Sequence, residues 1–356
     1  MSKKVIITGV LGQDGANMAE YLLRETDHEI YGIMRRTSNP NFFNCNSFIN
    51  DKRFNLVYAD LGDSVSIEDA VVKVQPDYFI NFAAQSFVGC SWTIPVQTFD
   101  TNATGVLRCL EAIRRHKPDC RFYSAGSSEE FGDVDYSPQD IKHPIKPRSP
   151  YGASKAAARH LVKTYRDSYD LYAVHGILFN HEGTKRGEEF VTRKISKGVA
   201  RISNSIVNNL PFQPIELGNV DAKRDWSDSE DFVDGVWKML KQKKPKDYIL
   251  SSGETHSIRE FVEKAFQTVN INGVWHGKRT KEEFSLTHDY VIHNTTQSSV
   301  LVKINEKFYR PAEVDVLLGD SSPAREQLQW HPKTSFNELV KKMTKNDIRL
   351  LTKPDK

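Results

Sequence analysis

Short apolar segments alternate with longer stretches of helix-like spacing along the first half of the chain. Six apolar segments have the length of buried strands: residues 5–8, 29–34, 54–58, 78–82, 122–124 and 174–178. Between them, apolar residues recur at helical spacing at residues 18–23, 67–74, 106–114 and 151–169. Buried strands that alternate with helices indicate a parallel sheet with helices on both faces.

Beyond about residue 180 this alternation weakens, and the chain becomes more polar, as in residues 204–214 and 277–299, which we predict to be loop-rich. A single core rarely grows past about 250 to 300 residues, and this chain has 356. The sequence therefore predicts an α/β protein. A doubly wound parallel sheet of the Rossmann type occupies residues 1–180, and a smaller C-terminal α/β domain occupies residues 181–356. The boundary is approximate, and we expect the division to be discontinuous.

Charge and cysteine content narrow the class of protein. Lysine and arginine number 49 against 46 aspartates and glutamates, a net charge of +3, so no strong field points to nucleic acid or an anionic membrane as the partner. No stretch approaches the roughly 20 apolar residues of a membrane span, and the apolar run near the N-terminus is too short for a signal peptide. The four cysteines lack CxxC spacing, which predicts reduced thiols, a cytoplasmic location and no metal site.

A glycine-rich turn follows the first predicted strand and opens the first predicted helix. Its pattern is Gly9-x-x-Gly12-x-x-Gly15, and such glycines let the backbone approach a dinucleotide pyrophosphate at a helix N-terminus. Three glycines also serve simply to close a strand onto a helix, so the motif alone leaves both interpretations open.

The end of the second strand distinguishes between the two nicotinamide cofactors. NAD-binding turns normally have an acidic residue about 20 positions after the glycines, where it accepts hydrogen bonds from the ribose 2′-hydroxyl. Arg35 and Arg36 stand there instead, and guanidinium groups bind a 2′-phosphate. The pair therefore predicts NADP, with a solvated surface pair as the alternative. Four residues at the ends of the third and fourth strands are expected along the same cofactor: Asp60, Leu61, Ala83 and Ala84.

Tyr151 and Lys155 lie four residues apart at the start of the long predicted helix, so they share a helix face. We expect the ammonium to lower the phenol pKa below its usual value of about 10. A phenolate beside a nicotinamide takes the proton of a sugar hydroxyl as hydride leaves the carbon. Ser127-Ser128-Glu129 follows the fifth strand and brings a hydroxyl and a carboxylate to the same edge of the sheet.

With these residues in place, the chain resembles the extended short-chain dehydrogenases/reductases and, among them, the GDP-mannose 4,6-dehydratase family. The similarity runs nearly end to end. Its most specific segments are residues 8–15, 35–36, 83–86, 128–129, 149–155, 177–182, 190–194, 218–226 and 309–313.

The resemblance implies an enzyme, a hydro-lyase, that uses NADP to convert GDP-mannose into GDP-4-keto-6-deoxymannose. Tyr151 would deprotonate the sugar 4-hydroxyl as hydride passes from C4 to NADP, and Ser127 would hydrogen-bond the 4-oxygen. Glu129 would remove the C5 proton and assist loss of the 6-hydroxyl as water, before hydride returns to C6. Lys155 would hold the cofactor ribose.

The resemblance also assigns binding residues, no metal, and an assembly of two or four identical chains. The second domain would hold the GDP-linked sugar. Cofactor contacts would come from the glycines and strand ends named above together with Gln13, Asp14, Tyr151, Lys155, His181 and Arg186. Substrate contacts would come from Ser86, Asn180, Val191, Lys194, Arg224, Arg310 and Glu313.

Two departures from the family pattern keep alternatives open. Ser127 stands where the family generally has threonine, which keeps the hydroxyl, and Phe87 stands where it usually has histidine. The change at Phe87 leaves open another GDP-linked sugar, such as a heptose. An epimerase is a further alternative, but it needs no base for the C5 proton, so Glu129 favours a dehydratase. Outside the enzymes, the alternative is a non-catalytic NADPH-sensing or scaffold protein that keeps this fold.

Overall fold

A computed structural model describes residues 2–278, 281–287, 300–309 and 316–352 of the chain. Its strands are β1 (Lys4–Thr8), β2 (Glu29–Met34), β3 (Phe54–Tyr58), β4 (Tyr78–Asn81), β5 (Arg121–Ala125), β6 (Ala173–Leu178), β7 (Asn180–Glu182), β8 (Ile215–Leu217), β9 (Lys223–Arg224), β10 (Trp226–Asp228), β11 (Tyr248–Leu250), β12 (His256–Ser257), β13 (Gly273–His276), β14 (Glu283–Leu286), β15 (Val300–Ile304) and β16 (Val316–Leu317).

Its α-helices are α1 (Gln13–Glu25), α2 (Ser64–Val74), α3 (Val88–Ser91), α4 (Pro95–Phe99), α5 (Gly105–His116), α6 (Pro150–Tyr169), α7 (Val191–Val207), α8 (Ser229–Leu240), α9 (Ile258–Gln267), α10 (Ser322–Leu328) and α11 (Phe336–Thr352). None of these helices combines the length and the apolar character that a membrane crossing requires.

The central sheet has seven parallel strands in the order β11-β6-β5-β4-β1-β2-β3. Strand β4 and strand β6 are buried along their whole length because helices cover both faces of the sheet. One apolar cluster packs α1 and α8 on one face, and a second packs α2, α5 and α6 on the other. The predicted doubly wound parallel sheet is therefore confirmed. Chain order reverses between β1 and β4, and ligands of such sheets bind beside that reversal, at the carboxyl ends of the strands.

The seventh strand comes from beyond residue 180. Strand β11 pairs with β6, with Tyr248 opposite Gly176, and α8 packs against the sheet just before it in the chain. The central sheet is therefore not completed within residues 1–180, because a segment from the second half closes its edge. Strand β11 has only three residues, which is too short for the pattern of apolar positions to predict it. The division into two domains stays a prediction, now with residues 229–250 assigned to the first.

The remaining described segments include three smaller sheets, and α7, α9 and α11 pack in a separate apolar cluster. The largest has the order β13-β14-β15-β8. Strand β14 lies within residues 277–299, which were predicted to be loop-rich, and residues 279–280 and 288–299 of that segment fall outside the described residues. Helix α7 likewise extends to Val207, into the segment 204–214 that was predicted to be loop.

Candidate active site

The glycine turn lies tightly against the end of β4. Gly9 has a φ of +68°, and a Cβ there would lie 2.9 Å from the backbone nitrogen of Ala83. A Cβ on Gly15 would lie 2.3 Å from the carbonyl oxygen of Gly9. Gly12 begins α1 without a capping side chain, so the first turn of the helix offers its N–H groups to an anion. This cradle fits the pyrophosphate of a dinucleotide.

Other predicted cofactor residues stand at neighbouring strand ends. Arg35 and Arg36 are exposed directly after β2. Asp60 is exposed after β3, and its carboxylate accepts the Gly62 N–H at 2.9 Å. Leu61 differs, since its side chain is buried in the apolar cluster under α2 and α5. It therefore has only backbone atoms to offer a ligand.

The Ala83 N–H donates to the Thr8 hydroxyl at 3.0 Å, which ties the end of β4 to β1. The next residue, Ala84, lines a cavity of about 560 Å³, a size within the range of ligand sites. Thirteen predicted site residues line this cavity: Asp14, Ala84, Ser86, Ser127, Glu129, Tyr151, Lys155, Asn180, His181, Arg186, Val191, Lys194 and Arg224. They come from segments up to 210 positions apart, from Asp14 to Arg224 (224 − 14).

The predicted catalytic residues meet in this cavity. Ser149 accepts the Gly152 N–H at 3.0 Å and, with Pro150, begins α6 so that Tyr151 lies in its first turn. Residues 128–130 form a single 3-10 turn after β5. The Ser127 hydroxyl hydrogen-bonds Tyr151 and accepts the Glu129 N–H at 3.3 Å. The hydroxyl, the phenol and the carboxylate therefore face one ligand space.

The proton affinities of Tyr151 and Lys155 follow mainly from burial. Burial raises the pKa of Tyr151 to about 12, against the hydrogen bond from Ser127, and the negative charges of Glu129 and Glu130 add to the rise. Burial lowers the pKa of Lys155 to about 8. The expectation that Lys155 lowers the phenol pKa is wrong, because burial raises the pKa of Tyr151 instead. The ammonium lies 5.9 Å from the Tyr151 ring centre and donates to the Ala125 carbonyl at 2.7 Å.

His181 is committed to the protein at both ring nitrogens. Its Nε2 lies 2.9 Å from the Asp14 carboxylate, and its Nδ1 lies 2.7 Å from the Phe179 carbonyl oxygen. Burial by itself lowers the pKa of His181, but the Asp14 carboxylate outweighs burial and raises it. The Gln13 side chain donates to the His181 carbonyl at 3.0 Å. His181 therefore holds Asp14 in the cavity wall and has no ring nitrogen left for a ligand.

Three predicted cations reach the cavity from different elements. The Arg186 guanidinium stacks 3.5 Å from the Phe190 ring centre, and the Lys194 ammonium lies 3.4 Å from that of Phe308. Arg224 is buried and donates to the Lys223 carbonyl at 2.8 Å. Of the remaining predicted substrate residues, Arg310 and Glu313 lie outside the described residues.

Several wall residues of the cavity had no predicted role. Glu182 is buried, accepts a hydrogen bond from the Thr192 hydroxyl and lies 3.0 Å from Arg186 Nε. Phe190, Phe308 and Tyr309 form aromatic parts of the wall. Phe190 and Tyr309 belong to segments that carried the family resemblance, so the sequence could have indicated a role for them. Nothing in the sequence indicated a role for Phe308. No group of three or more metal-ligating side chains was found in the described part of the chain.

A family model described as GDP-mannose 4,6 dehydratase matches residues 6–343. The chain belongs to the GDP-mannose 4,6-dehydratase family. A GDP-mannose 4,6 dehydratase from Drosophila melanogaster is 42% identical over 359 residues, which cover 99% of this chain and 87% of that protein. The family resemblance inferred from the motifs is thus confirmed.

Solved structures of other proteins share the fold of this family member. A UDP-glucuronic acid 4-epimerase from Bacillus cereus, in complex with UDP-glucuronic acid and NAD, matches with a TM-score of 0.78 at 18% identity, covering 98% of this chain and 99% of that one. The protein RMD from Pseudomonas aeruginosa, complexed with NADPH, matches with a TM-score of 0.75 at 20% identity and the same coverage. At such low identities these matches establish the fold alone.

Proposed function

We propose that this member of the GDP-mannose 4,6-dehydratase family is a hydro-lyase that converts GDP-mannose into GDP-4-keto-6-deoxymannose with NADP as its resident cofactor. The observation that carries the proposal is the common cavity of Ser127, Glu129 and Tyr151, with Ser127 hydrogen-bonded to the phenol. The family's relatives carry the same activity in their names.

The proposed reaction uses these three side chains at adjacent sugar carbons. When bound, NADP supplies a hydride acceptor for C4 oxidation and later returns the hydride to C6. Tyr151 takes the proton of the 4-hydroxyl, and Ser127 hydrogen-bonds the oxygen that becomes a ketone. That ketone acidifies the C5 proton, which Glu129 removes as general base and passes to the departing 6-hydroxyl, so that the hydroxyl leaves as water. Glu129 takes up another proton from solvent, which balances the proton that Tyr151 releases to solvent. Glu129 then returns a proton to C5.

Glu129 favours a dehydratase over an epimerase of the same fold. Oxidation and reduction at C4 require only a base for the hydroxyl, which Tyr151 provides. Elimination across C5 and C6 requires a second base near C5. Because Glu129 opens into the same cavity as Tyr151, the site has a group for each proton.

Binding of the substrate diphosphate is assigned to the cations of the cavity. Lys194 and Arg224 line it together with the exposed Lys307, and the burial of Arg224 and partial burial of Lys194 strengthen the attraction of those two charges to a phosphate. The family resemblance further supports a cytoplasmic enzyme that works as a homodimer or homotetramer. The unpaired state of Cys45, Cys90, Cys109 and Cys120 is in keeping with that compartment.

The choice of NADP over NAD rests on Arg35 and Arg36. The fold neighbours named above are complexed with NAD in one case and NADPH in the other, so the residues after β2 must decide. We expect replacement of both arginines by serine to weaken NADP binding by about 100-fold and to leave NAD binding within about threefold, because only NADP carries the 2′-phosphate. Titration of the protein with each cofactor by calorimetry measures both affinities. Equal loss for the two cofactors would contradict the assignment.

The proposed function is tested by incubating the protein with NADP and, separately, GDP-mannose, a GDP-heptose, UDP-glucose and dTDP-glucose. Products are followed by mass spectrometry and NMR. We expect a 4-keto-6-deoxy sugar from GDP-mannose without net reduction of the cofactor. A product that differs from its substrate only at C4 or C5 configuration would replace this proposal by an epimerase.

A further inference from the structure

A buried, hydrogen-bonded pair of side chains lies directly beneath the catalytic turn. Glu130 and His175 are both fully buried, and Glu130 Oε1 lies 2.9 Å from His175 Nε2. Glu130 follows Glu129 in the turn, and His175 belongs to β6. Neither residue lines the cavity. The pair therefore supports the site from behind without touching the ligand.

Oxygen Oε1 of Glu130 holds the backbone of the turn. It accepts the Ser127 N–H at 2.8 Å, and Ser127 in turn contacts Tyr151 and the Glu129 N–H. One carboxylate oxygen of Glu130 thus holds Ser127 in place. Ser127 in turn contacts both proposed bases, Tyr151 for the first step and Glu129 for the second. Buried hydrogen bonds of this kind set the position of a side chain to within a fraction of an ångström.

The backbone of His175 is held by a hydrogen bond, and its ring is closely packed. Its backbone N–H donates to Asp247 Oδ1 at 2.8 Å, and Arg166 pairs with the same carboxylate at 2.7 Å. A Cβ on Gly126 would lie 2.2 Å from His175 Nε2 and 2.7 Å from Glu130 Oε1. The chain between β5 and the turn therefore passes directly over the pair.

Glu130 carries a negative charge in this position. Burial by itself opposes ionisation, but the attraction and hydrogen bond of His175 outweigh it and lower the pKa of Glu130. Lys155 lies near this charge, because its ammonium donates to the Ala125 carbonyl at 2.7 Å and a Cβ on the next residue, Gly126, would lie 2.7 Å from Glu130 Oε1. The charge therefore favours the protonated form of Lys155 and of Tyr151. The titratable or charged groups that interact with Glu130 are Tyr123 on β5, His175 on β6, and Tyr151, Lys155 and Arg159 on α6.

From this arrangement we propose that Glu130 is a positioning residue of the dehydratase. Its carboxylate, clamped by His175, fixes Ser127 against Tyr151 and places a negative charge behind Tyr151 and Lys155. The role in turnover rests on the proposed function, whereas the charge coupling to Lys155 is a property of the protein itself.

Two substitutions separate the two parts of this role. Glu130→Leu removes both the acceptor and the charge, and we expect kcat to fall by about 100-fold with KM for GDP-mannose within about threefold. Glu130→Gln keeps an acceptor for the Ser127 N–H and removes the charge, and we expect kcat to fall by about tenfold. In Glu130→Gln the acidic limb of the kcat profile should move to lower pH, because a lost negative charge makes the Tyr151 phenolate easier to form.

Asp231→Asn provides the control for loss of any buried carboxylate. Asp231 is 7% exposed, lies outside the cavity and accepts the N–H groups of Lys333 and Thr334 at 2.8 and 2.9 Å. We expect this variant to melt at a lower temperature with an unchanged kcat profile. If Glu130→Gln behaves in the same way, Glu130 is merely structural and the proposal is overturned.

A second measurement does not depend on activity. The rate at which acetic anhydride modifies Lys155, followed by peptide mass spectrometry across pH, reports the protonation of that amine. We expect the midpoint to move to lower pH in Glu130→Gln and to stay in place in Asp231→Asn. An unmoved midpoint in Glu130→Gln would refute the charge coupling. If the wild-type protein fails to dehydrate GDP-mannose, the proposed function fails, and this measurement still decides whether Glu130 acts on Lys155.

Discussion

Replacing Glu129 by glutamine is expected to lower turnover of GDP-mannose by about 1,000-fold, within the range for loss of a general base. The amide has the shape of the carboxylate but cannot accept the C5 proton. Binding should change little, because the cations of the cavity and the cofactor turn are untouched. The first step needs only Tyr151, so reduced nicotinamide should accumulate in a single turnover and then persist.

Two measurements check this expectation. Stopped-flow absorbance follows the reduced nicotinamide, and NMR in deuterated water follows incorporation of deuterium at C5, which Glu129→Gln should block. Glu188→Gln is the matched control, since the Glu188 carboxylate is exposed and pairs with Lys197 outside the cavity. Turnover of Glu129→Gln within tenfold of the wild type would remove Glu129 from the mechanism.

Replacing Tyr151 by phenylalanine is expected to lower turnover by about 10,000-fold and to prevent the first hydride transfer as well. The ring is 8% exposed, and phenylalanine fills the same space, so folding should be preserved. With the oxygen gone, no group takes the proton of the 4-hydroxyl. The contrast with Glu129→Gln is therefore qualitative, since no reduced nicotinamide should appear at any time.

The matched control for this variant lies on the same helix. Tyr169 is 51% exposed at the end of α6, its ring centre lies 5.1 Å from that of Tyr165 with the rings tilted by 53°, and the Arg114 guanidinium lies over its ring. Tyr169→Phe should retain full turnover. A transient of reduced nicotinamide in Tyr151→Phe equal to that of the wild type would show that another group is the base of the first step.

The pH dependence follows from the raised pKa of Tyr151. At about 12, the phenol keeps its proton at neutral pH, and its negative neighbours Glu129 and Glu130 oppose ionisation. A positive charge that enters the cavity favours the phenolate, and the oxidised nicotinamide ring carries one. Turnover should therefore rise with pH until the phenol of the loaded enzyme ionises, and that pH should lie well below 12.

Local patterns predicted the central fold because the residues that decide it are neighbours in the chain. The apolar segments 29–34 and 54–58 coincide with β2 and β3, and the helical spacing at 151–169 lies within α6. Side-chain spacing of two or of about 3.6 residues is a property of a single element. The glycine turn and the Tyr151 to Lys155 spacing were readable for the same reason.

Pairings between distant segments were not readable in this way. Strand β11 has only three residues, and its place at the edge of the sheet depends on its contact with β6, from more than 70 positions earlier in the chain (248 − 176). The commitment of both nitrogens of His181 depends on Asp14 and on the Phe179 carbonyl. Spacing along the chain contains no signal for either contact.

By itself, the sequence determined the doubly wound sheet, the family and the residues from which the site is built, because each is written in short runs of neighbouring positions. Only the tertiary structure decided how those residues behave. In the folded protein Tyr151 is buried and its pKa is raised. The Leu61 side chain packs in the core, and the Glu130 and His175 pair lies under the catalytic turn. The physical reason is that proton affinity and hydrogen bonding depend on solvent exclusion and on nearby charge, which the fold creates by joining segments that are remote in the chain.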